Sequence, residues 1–302
     1  MDRHPSRESL RQNLLSVPAR PVLGITTGDP AGIGPELITR CLADSGLPGG
    51  VDFRLIGRAD GHPSGQPTPA SAQAAWDALE EAARLLQDGT IQGVVTGPVH
   101  KASLHALGFP FPGQTEFFAA RAGVENFAMC LTGGPLTVVL ATAHLPLREV
   151  PHLLRTEEII RTGKLLHAFL QRRLGRAPRI AVAGLNPHAG ENGQFGQEEK
   201  NLIAPAIEQL AREGDFTGPH SPDTVFHRAM TGEFDGVLCM YHDQGLIPLK
   251  LLAFDTGVNV TLGLPHPRTS PDHGTAFDLA GTGRANHQSM LAAMNLAADL
   301  LR

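Results

Sequence analysis

Residues 179–193, RIAVAGLNPHAGENG, open as an apolar run and break at once into Asn, Pro, His and Gly. A short run rich in Ile, Val and Ala and closed by turn residues reads as a buried strand with polar chemistry at its carboxyl end. The same pattern recurs in VVLATAHLPL (138–147) and GVLCMYHDQG (236–245). Further strands are predicted at PVLGITTG (21–28), VDFRLIG (51–57), IQGVVTG (91–97) and around 127–132 and 136–142. Helical periodicity covers PELITRCLAD (35–44), AAWDALEEAARLLQDG (74–89), 156–173, 198–213 and a last segment from about 287. Strands alternating with helices of this length predict an α/β fold built from parallel βαβ units, with ligands at the carboxyl ends of the strands.

That rule gives the three quoted stretches their meaning, because each delivers a histidine where a strand stops: His144, His188 and His242. They are far apart in sequence and share no local motif of the HExxH kind, so only the fold can bring them together. Neutral imidazoles suit a divalent transition metal, and three protein ligands leave a coordination position for substrate. Asn186 and Glu191 flank His188, and Asp243 follows His242.

Composition limits the remaining classes. The 302 residues suffice for about two compact lobes or one large domain. Lys and Arg number 25 against 30 Asp and Glu, a net charge of −5 without long basic runs, so a surface that tracks nucleic-acid phosphates is not expected. Three cysteines, Cys41, Cys130 and Cys239, stand far apart and outside CxxC spacing, which predicts a reducing compartment. No stretch approaches a membrane span, and MDRHPSRESLRQNLLSVPAR (1–20) reads as a charged tail and not as a secretory signal. The expected location is cytoplasmic and the expected partner a small molecule.

GDPAGIGPE (28–36) follows a strand and opens a helix, an arrangement that suits phosphate on helix-terminal N–H groups. It departs from GxGxxG and has no acidic partner at the usual distance, which disfavours an ordinary Rossmann cofactor site. A Walker-type loop is missing as well. The Gly/Pro-rich stretch 259–286, NVTLGLPHPRTSPDHGTAFDLAGTGRAN, is predicted to be a long functional loop. It carries Asn259 and Arg268, with Lys250 just upstream, and this set suits a small anion such as a phosphate monoester.

Taken together, GITTGDPAGIGPE, TGPVHKASLHALGFPFPGQTEFFA, ATAHLPLRE, GLNPHAGENGQFGQEE, PDTVFH, MYHDQGLIPLK and GVNVTLGLPHPRTSPDHGTAFDLAGTG resemble the 4-hydroxythreonine-4-phosphate dehydrogenase (PdxA) family of vitamin B6 biosynthesis. The resemblance runs from about residue 21 to the C-terminus. It implies an isocitrate/isopropylmalate dehydrogenase-like fold of two α/β/α lobes with a cleft between them. The first lobe, on the nucleotide side, would hold residues 21–125 and 250–302, and the second, on the metal and dimer side, 126–249. It also implies a homodimer with shared active sites, NAD or NADP as cofactor, and one divalent metal (Zn, Mg or Co) per subunit on His144, His188 and His242. Substrate contacts would be Gln114, Thr115, Lys250, Asn259 and Arg268. The stretch DHGTAFDLAGTGRAN is similar to the adenosine-side loop of the decarboxylating dehydrogenases, which places His273, Gly274, Thr275, Ala276 and Asp278 at the nucleotide. Asp223 and Asp243 are candidates to orient the metal-ligand imidazoles, and Lys250 is a candidate proton acceptor.

Two departures from the family pattern stand out. Gln114 occupies the position where the family usually has His, which removes a titratable group from the pocket. The stretch after Gly57 is also shorter than usual. The expected reaction is metal- and NAD(P)-dependent oxidation of 4-phosphohydroxy-L-threonine, followed by decarboxylation. Gln114 keeps open a related dehydrogenase acting on a four-carbon sugar-acid phosphate, threonate or erythronate 4-phosphate. From other classes, a metal-dependent lyase or hydrolase of a small phosphate ester and a non-catalytic two-lobed binding protein also fit the residues.

Overall fold

The computed structural model describes residues 20–302; residues 1–19, nearly all of the expected N-terminal tail, lie outside the described residues. In chain order the elements are β1 (Val22–Thr26), α1 (Gly34–Leu42), β2 (Asp52–Ile56), α2 (Pro69–Gln87), β3 (Gly93–Thr96), α3 (Lys101–Ala106), α4 (Gln114–Arg121), β4 (Ala128–Gly133) and β5 (Leu136–Leu140). They continue with α5 (Val150–Leu153), α6 (Thr156–Leu174), β6 (Arg179–Ala183), α7 (Ala204–Leu210), β7 (Asp215–His220), α8 (Val225–Met230), β8 (Gly236–Cys239), α9 (His242–Ala253), β9 (Val258–Leu262), β10 (Arg268–Pro271) and α10 (Gln288–Asp299).

All ten strands form one sheet in the order β2-β1-β3-β10-β9-β4-β5-β8-β6-β7. The inner strands β3, β5 and β8 are buried at every position, as expected for strands covered by helices on both faces, whereas the edge strands β2 and β7 are largely exposed. The pairs β1–β2, β1–β3, β3–β10, β5–β8, β8–β6 and β6–β7 are parallel, as expected for βαβ units, but the sheet is not parallel throughout. Its middle pairs, β10 with β9, β9 with β4 and β4 with β5, are antiparallel. The segment 259–286, expected as one long loop, contains all but the first residue of β9 and the whole of β10. Its Gly and Pro residues mark the turns around two short strands and hide the alternation in VNVTL and RTSP.

That alternation decides where the site lies. Along β1, β5, β6, β8 and β9, residues such as Leu23, Ile25, Val139, Ile180, Val182, Leu238, Val258 and Val260 join a single core that spans the sheet with α1, α6, α7 and α10. Residues of the opposite face build two separate cores, one around Val94 with α2 and α4, the other around Val138, Leu140 and Val237 with α8 and α9. Between these two cores the sheet presents polar side chains. Arg268 sits in register with Val94, Thr261 with Met129, and Asn259 with Ser270. A cleft opens at this gap.

Local chemistry sets the helix ends. Thr68 Oγ1 accepts from the Ser71 N–H at 3.1 Å, Ser71 Oγ accepts from the Thr68 N–H at 3.1 Å, and Pro69 follows, so α2 begins at Pro69, ahead of the helical periodicity that opens at residue 74. Thr68→Ala is expected to cost about 1 kcal/mol of stability with activity unchanged, as read by urea denaturation and steady-state rates. Gly175, at φ 65°, ends α6 in the left-handed conformation that glycine adopts without strain. Among the described residues no helix is long and apolar enough to cross a membrane.

Candidate functional site

The cleft has a volume of about 670 Å³ and is lined by Thr96, Gln114, Thr115, His144, Asn259, Arg268, His273 and Gly274, among others. Seven of the residues expected from sequence are thereby brought to one place. They come from the start of α4, the segment after β5, the polar faces of β9 and β10, and the turn after β10, and Thr96 joins them from the end of β3.

Arg268 is its electrostatic centre. The side chain is buried, and its guanidinium donates only to neutral acceptors: Nη2 to Thr96 Oγ1 at 2.6 Å and to Gln114 Oε1 at 3.2 Å, and Nη1 to Thr261 Oγ1 at 3.2 Å and to Thr115 Oγ1 at 3.4 Å. Among the described residues no carboxylate is in salt-bridge contact with it, and Nε has no hydrogen-bond partner. Burial pushes the guanidinium down to about 10, with Glu116 opposing through its charge. A buried cation held by hydroxyls and an amide lacks its counter-ion, and a bound anion supplies one. Asn259 Oδ1 and His273 Nε2 are likewise buried without a partner. Each such group costs roughly 1–3 kcal/mol until something satisfies it.

Gln114 bridges this site, since its Nε2 donates to the Gly97 carbonyl at 3.1 Å while its Oε1 accepts from Arg268. Thr96 and Thr261, which hold the guanidinium, were not expected from sequence. Thr96 ends a predicted strand and so obeys the carboxyl-end rule. Thr261 had no such signal, because β9 was read as loop. Lys101 and Glu116 also line the cleft without having been expected.

Two of the three histidines meet. The rings of His144 and His242 are 5.5 Å apart between centroids, across a smaller depression that also includes Tyr241 and Asp243. Burial first, then the positive charges of Lys101 and His242, hold His144 below the ordinary imidazole range, which favours the neutral ligand form. His242 Nδ1 lies 2.7 Å from Asp243 Oδ1, an arrangement that fixes the ring and leaves Nε2 for a ligand. His188 does not join them. Among the described residues no group of three or more His, Cys, Asp or Glu side chains gathers as a metal holder. Two adjacent imidazoles thus fit a divalent cation, and among the described residues no third His, Cys, Asp or Glu side chain joins them.

His188 sits instead on an unusual turn. His188, Ala189, Gly190, Glu191 and Asn192 all have positive φ, from 40° to 76°, a left-handed turn that costs roughly 1–2 kcal/mol for each residue bearing a Cβ. Its imidazole is mostly exposed, with Nδ1 3.9 Å from Asp223 Oδ2. The Ser221 hydroxyl, donating at 2.5 Å, leads the causes that hold the Asp223 carboxyl below its usual range. Lys250 is also absent from the cleft wall and pairs with Asp272 at 3.0 Å. Apolar side chains are exposed both near His144 and along α9. Ile247, Leu251 and Phe254 are 66 %, 85 % and 76 % exposed at helical spacing, with Leu147 nearby in sequence to His144 at 68 %.

The expected nucleotide segment packs on the GDPAGIGPE turn. The Ile33 N–H donates to the Thr275 carbonyl, the Gly281 N–H to Glu36 Oε2, and the Asp29 carboxylate accepts from Ala31 N. Gly32 is required there, because a Cβ would meet the Thr275 carbonyl oxygen at 2.9 Å. His273 and Gly274 face the cleft, Thr275 is buried, Ala276 adopts a positive φ of 41°, and Asp278 is exposed. Burial lowers the His273 imidazole below its usual range.

The sequence matches the family described as Pyridoxal phosphate biosynthetic protein PdxA over residues 46–297. It is 44 % identical to the 4-hydroxythreonine-4-phosphate dehydrogenase of Geobacter metallireducens, covering 94 % of this chain and 96 % of that protein. A crystal structure described as a putative 4-hydroxythreonine-4-phosphate dehydrogenase from Salmonella typhimurium superposes with a TM-score of 0.82 at 37 % identity, over 93 % of this chain and 99 % of that one. The isocitrate dehydrogenase of Methylococcus capsulatus, at 16 % identity and a TM-score of 0.52, over 92 % of this chain and 87 % of that one, shares the fold. The chain belongs to the PdxA family of pyridoxal phosphate biosynthetic proteins and is an enzyme, a dehydrogenase.

Proposed function

We propose that this dehydrogenase oxidises 4-phosphohydroxy-L-threonine with NAD or NADP to 2-amino-3-oxo-4-phosphooxybutanoate, which loses carbon dioxide to give 3-amino-2-oxopropyl phosphate. The observation that carries the reading is the buried Arg268 without a counter-ion, in a cleft shared with His144 and His273. The substrate phosphate is the missing anion. Thr115, Asn259 and Gln114 complete its shell, and Lys250 closes on the substrate from α9 and serves as the candidate proton acceptor. Membership of a dehydrogenase family sets aside the lyase, hydrolase and binding-protein readings.

His144 and His242 of one chain, with His188 of a second copy, would hold a divalent cation (Zn, Mg or Co). When bound, that cation supplies Lewis-acid stabilisation to the hydroxyl being oxidised. NAD(P), on the segment containing His273, Gly274, Thr275, Ala276 and Asp278, supplies the hydride acceptor. Asp243 and Asp223 orient the imidazoles of His242 and His188. The incomplete histidine set and the exposed apolar stripe of α9 together support a homodimer in which each cleft is finished by its neighbour. The two-lobe division at 125/126 and 249/250, with the cleft between lobes, accompanies this reading, as does a cytoplasmic location.

Gln114 favours one second reading, a four-carbon sugar-acid phosphate, because a neutral amide replaces the imidazole usual in the family. Steady-state nicotinamide reduction with 4-phosphohydroxy-L-threonine, threonate 4-phosphate and erythronate 4-phosphate separates the two. Of the three, 4-phosphohydroxy-L-threonine is expected to have the highest kcat/KM. A clear preference for either sugar acid, reversed by Gln114→His, would establish the second reading.

A further inference from the structure

The left-handed turn that carries His188 needs something to hold it, and one buried carboxylate is placed to do so. Glu199 is 4 % exposed and opens a π-helical turn, Glu199–Ile203, ahead of α7. Its Oε1 accepts from the backbone N–H groups of Leu185 at 2.8 Å and Asn186 at 2.7 Å, and its Oε2 accepts from Asn186 Nδ2 at 3.0 Å. The turn is shaped around this carboxylate. A Cβ on Gly190 would meet Glu199 Oε2 at 2.6 Å, and one on Gly184 would meet Oε1 at 3.2 Å. Neighbours on the same segment reinforce the tie: Glu198 Oε2 accepts from Asn186 Nδ2 at 2.8 Å, Gln197 Nε2 donates to the Gly193 carbonyl at 3.0 Å, and the Lys200 ammonium donates to the Asn192 carbonyl. Every one of these hydrogen bonds ends on residues 185–193, and none engages the His188 imidazole.

We propose that Glu199 is a positioning residue for His188: its buried carboxylate fixes the backbone of the 185–192 turn so that the imidazole stands exposed and ready to complete the metal site of a second copy. This rests on the reading of His188 as a metal ligand. A left-handed run has no intrinsic preference for its shape, so the surroundings must impose it. Charge-assisted bonds from Leu185 and Asn186 do this more firmly than neutral ones. Outer groups that orient a ligand side chain typically change metal affinity by about 10–100-fold when removed.

The test uses the purified full-length chain, cobalt(II) titrated by calorimetry, inorganic phosphate as the probe of the Arg268 cleft, and limited proteolysis of the metal-free protein. Glu199→Ala is expected to weaken cobalt binding by about 10–100-fold and to speed cleavage within 186–196, with phosphate affinity unchanged. Glu199→Gln keeps an oxygen for the two backbone donors, and its expected loss is below about tenfold. Should Glu199→Ala fail to fold, a fewfold loss in Glu199→Gln at wild-type phosphate affinity supports the proposal, and no loss overturns it. His188→Ala separates the two layers of inference. If it loses cobalt affinity while Glu199→Ala does not, the positioning role is wrong. If His188→Ala also keeps full cobalt affinity, the shared-metal reading falls and takes with it the purpose assigned to Glu199. Cleavage no faster than in wild type overturns the role by itself.

Discussion

Arg268→Met is expected to lower kcat/KM by a hundredfold to a thousandfold or more while leaving the ligand-free protein as stable as wild type, or more so. The functional loss follows from removing one partner of a buried charge pair, which costs about 2–5 kcal/mol. The stability expectation runs the other way, because in the empty cleft the pair does not exist. Burial lowers the guanidinium to about 10, so the folded chain bears roughly 3 kcal/mol of unfavourable desolvation at any pH below that value. The charge is present in both folded and unfolded chains at neutral pH, and the cost disappears only when an anion binds or the charge is removed. An apolar side chain of similar length escapes it. Thr96, Thr115, Thr261 and Gln114 would lose a donor, which offsets part of the gain. Chemical denaturation with and without inorganic phosphate checks both halves. Wild type should gain stability with phosphate and Arg268→Met should not. A variant that unfolds several kcal/mol earlier than wild type would mean that Arg268 serves the fold and not an anion.

His144→Ala and His242→Ala are each expected to reduce turnover by on the order of a thousandfold, since Lewis-acid stabilisation by a bound metal is worth several kcal/mol. His188→Ala should do the same, although His188 stands apart from the other two within one chain. Metal-free stability should change little in the His188 variant, because that side chain is mostly exposed. The equal severity of a remote and a local substitution is the informative part. If His188→Ala retained most of the activity, two imidazoles and solvent would suffice and the second copy would have no catalytic role.

Much of this site is written in the sequence as position. Histidines at the ends of three apolar runs, a lone Arg268 in a segment of small polar residues and the segment after Pro271 could all be picked out before any coordinates. What the sequence hides is pairing. RTSP and VNVTL are too short and too close to Gly and Pro to announce themselves as strands, yet their alternation aims Arg268, Asn259 and Thr261 at one face and Thr269, Val258 and Val260 at the other. Without β9 and β10 the antiparallel centre of the sheet cannot be foreseen, nor can the hydroxyl cradle around the guanidinium. Glu199 was invisible for a related reason. Two glutamates at the start of a helix ordinarily face solvent near the positive helix end, and only the turn of residues 185–192 shows that one of them is enclosed. The separation of His188 from His144 and His242 is likewise a property of the folded chain. It turns the proposed set of three ligands into a proposal about two subunits.

That proposal can be tested by subunit mixing. His144→Ala and His188→Ala homodimers, each inactive, are dissociated, combined in equal amounts and reassociated, and nicotinamide reduction is measured in the presence of metal. In a two-fold dimer whose clefts each take His144 and His242 from one chain and His188 from the other, every mixed dimer concentrates both defects in one cleft and leaves the other intact. Recovery to about one quarter of wild-type activity is expected, while a parallel mixture of His144→Ala with His242→Ala stays at background. A first mixture as inactive as its parents, under conditions where mixed dimers demonstrably form, would contradict the proposal.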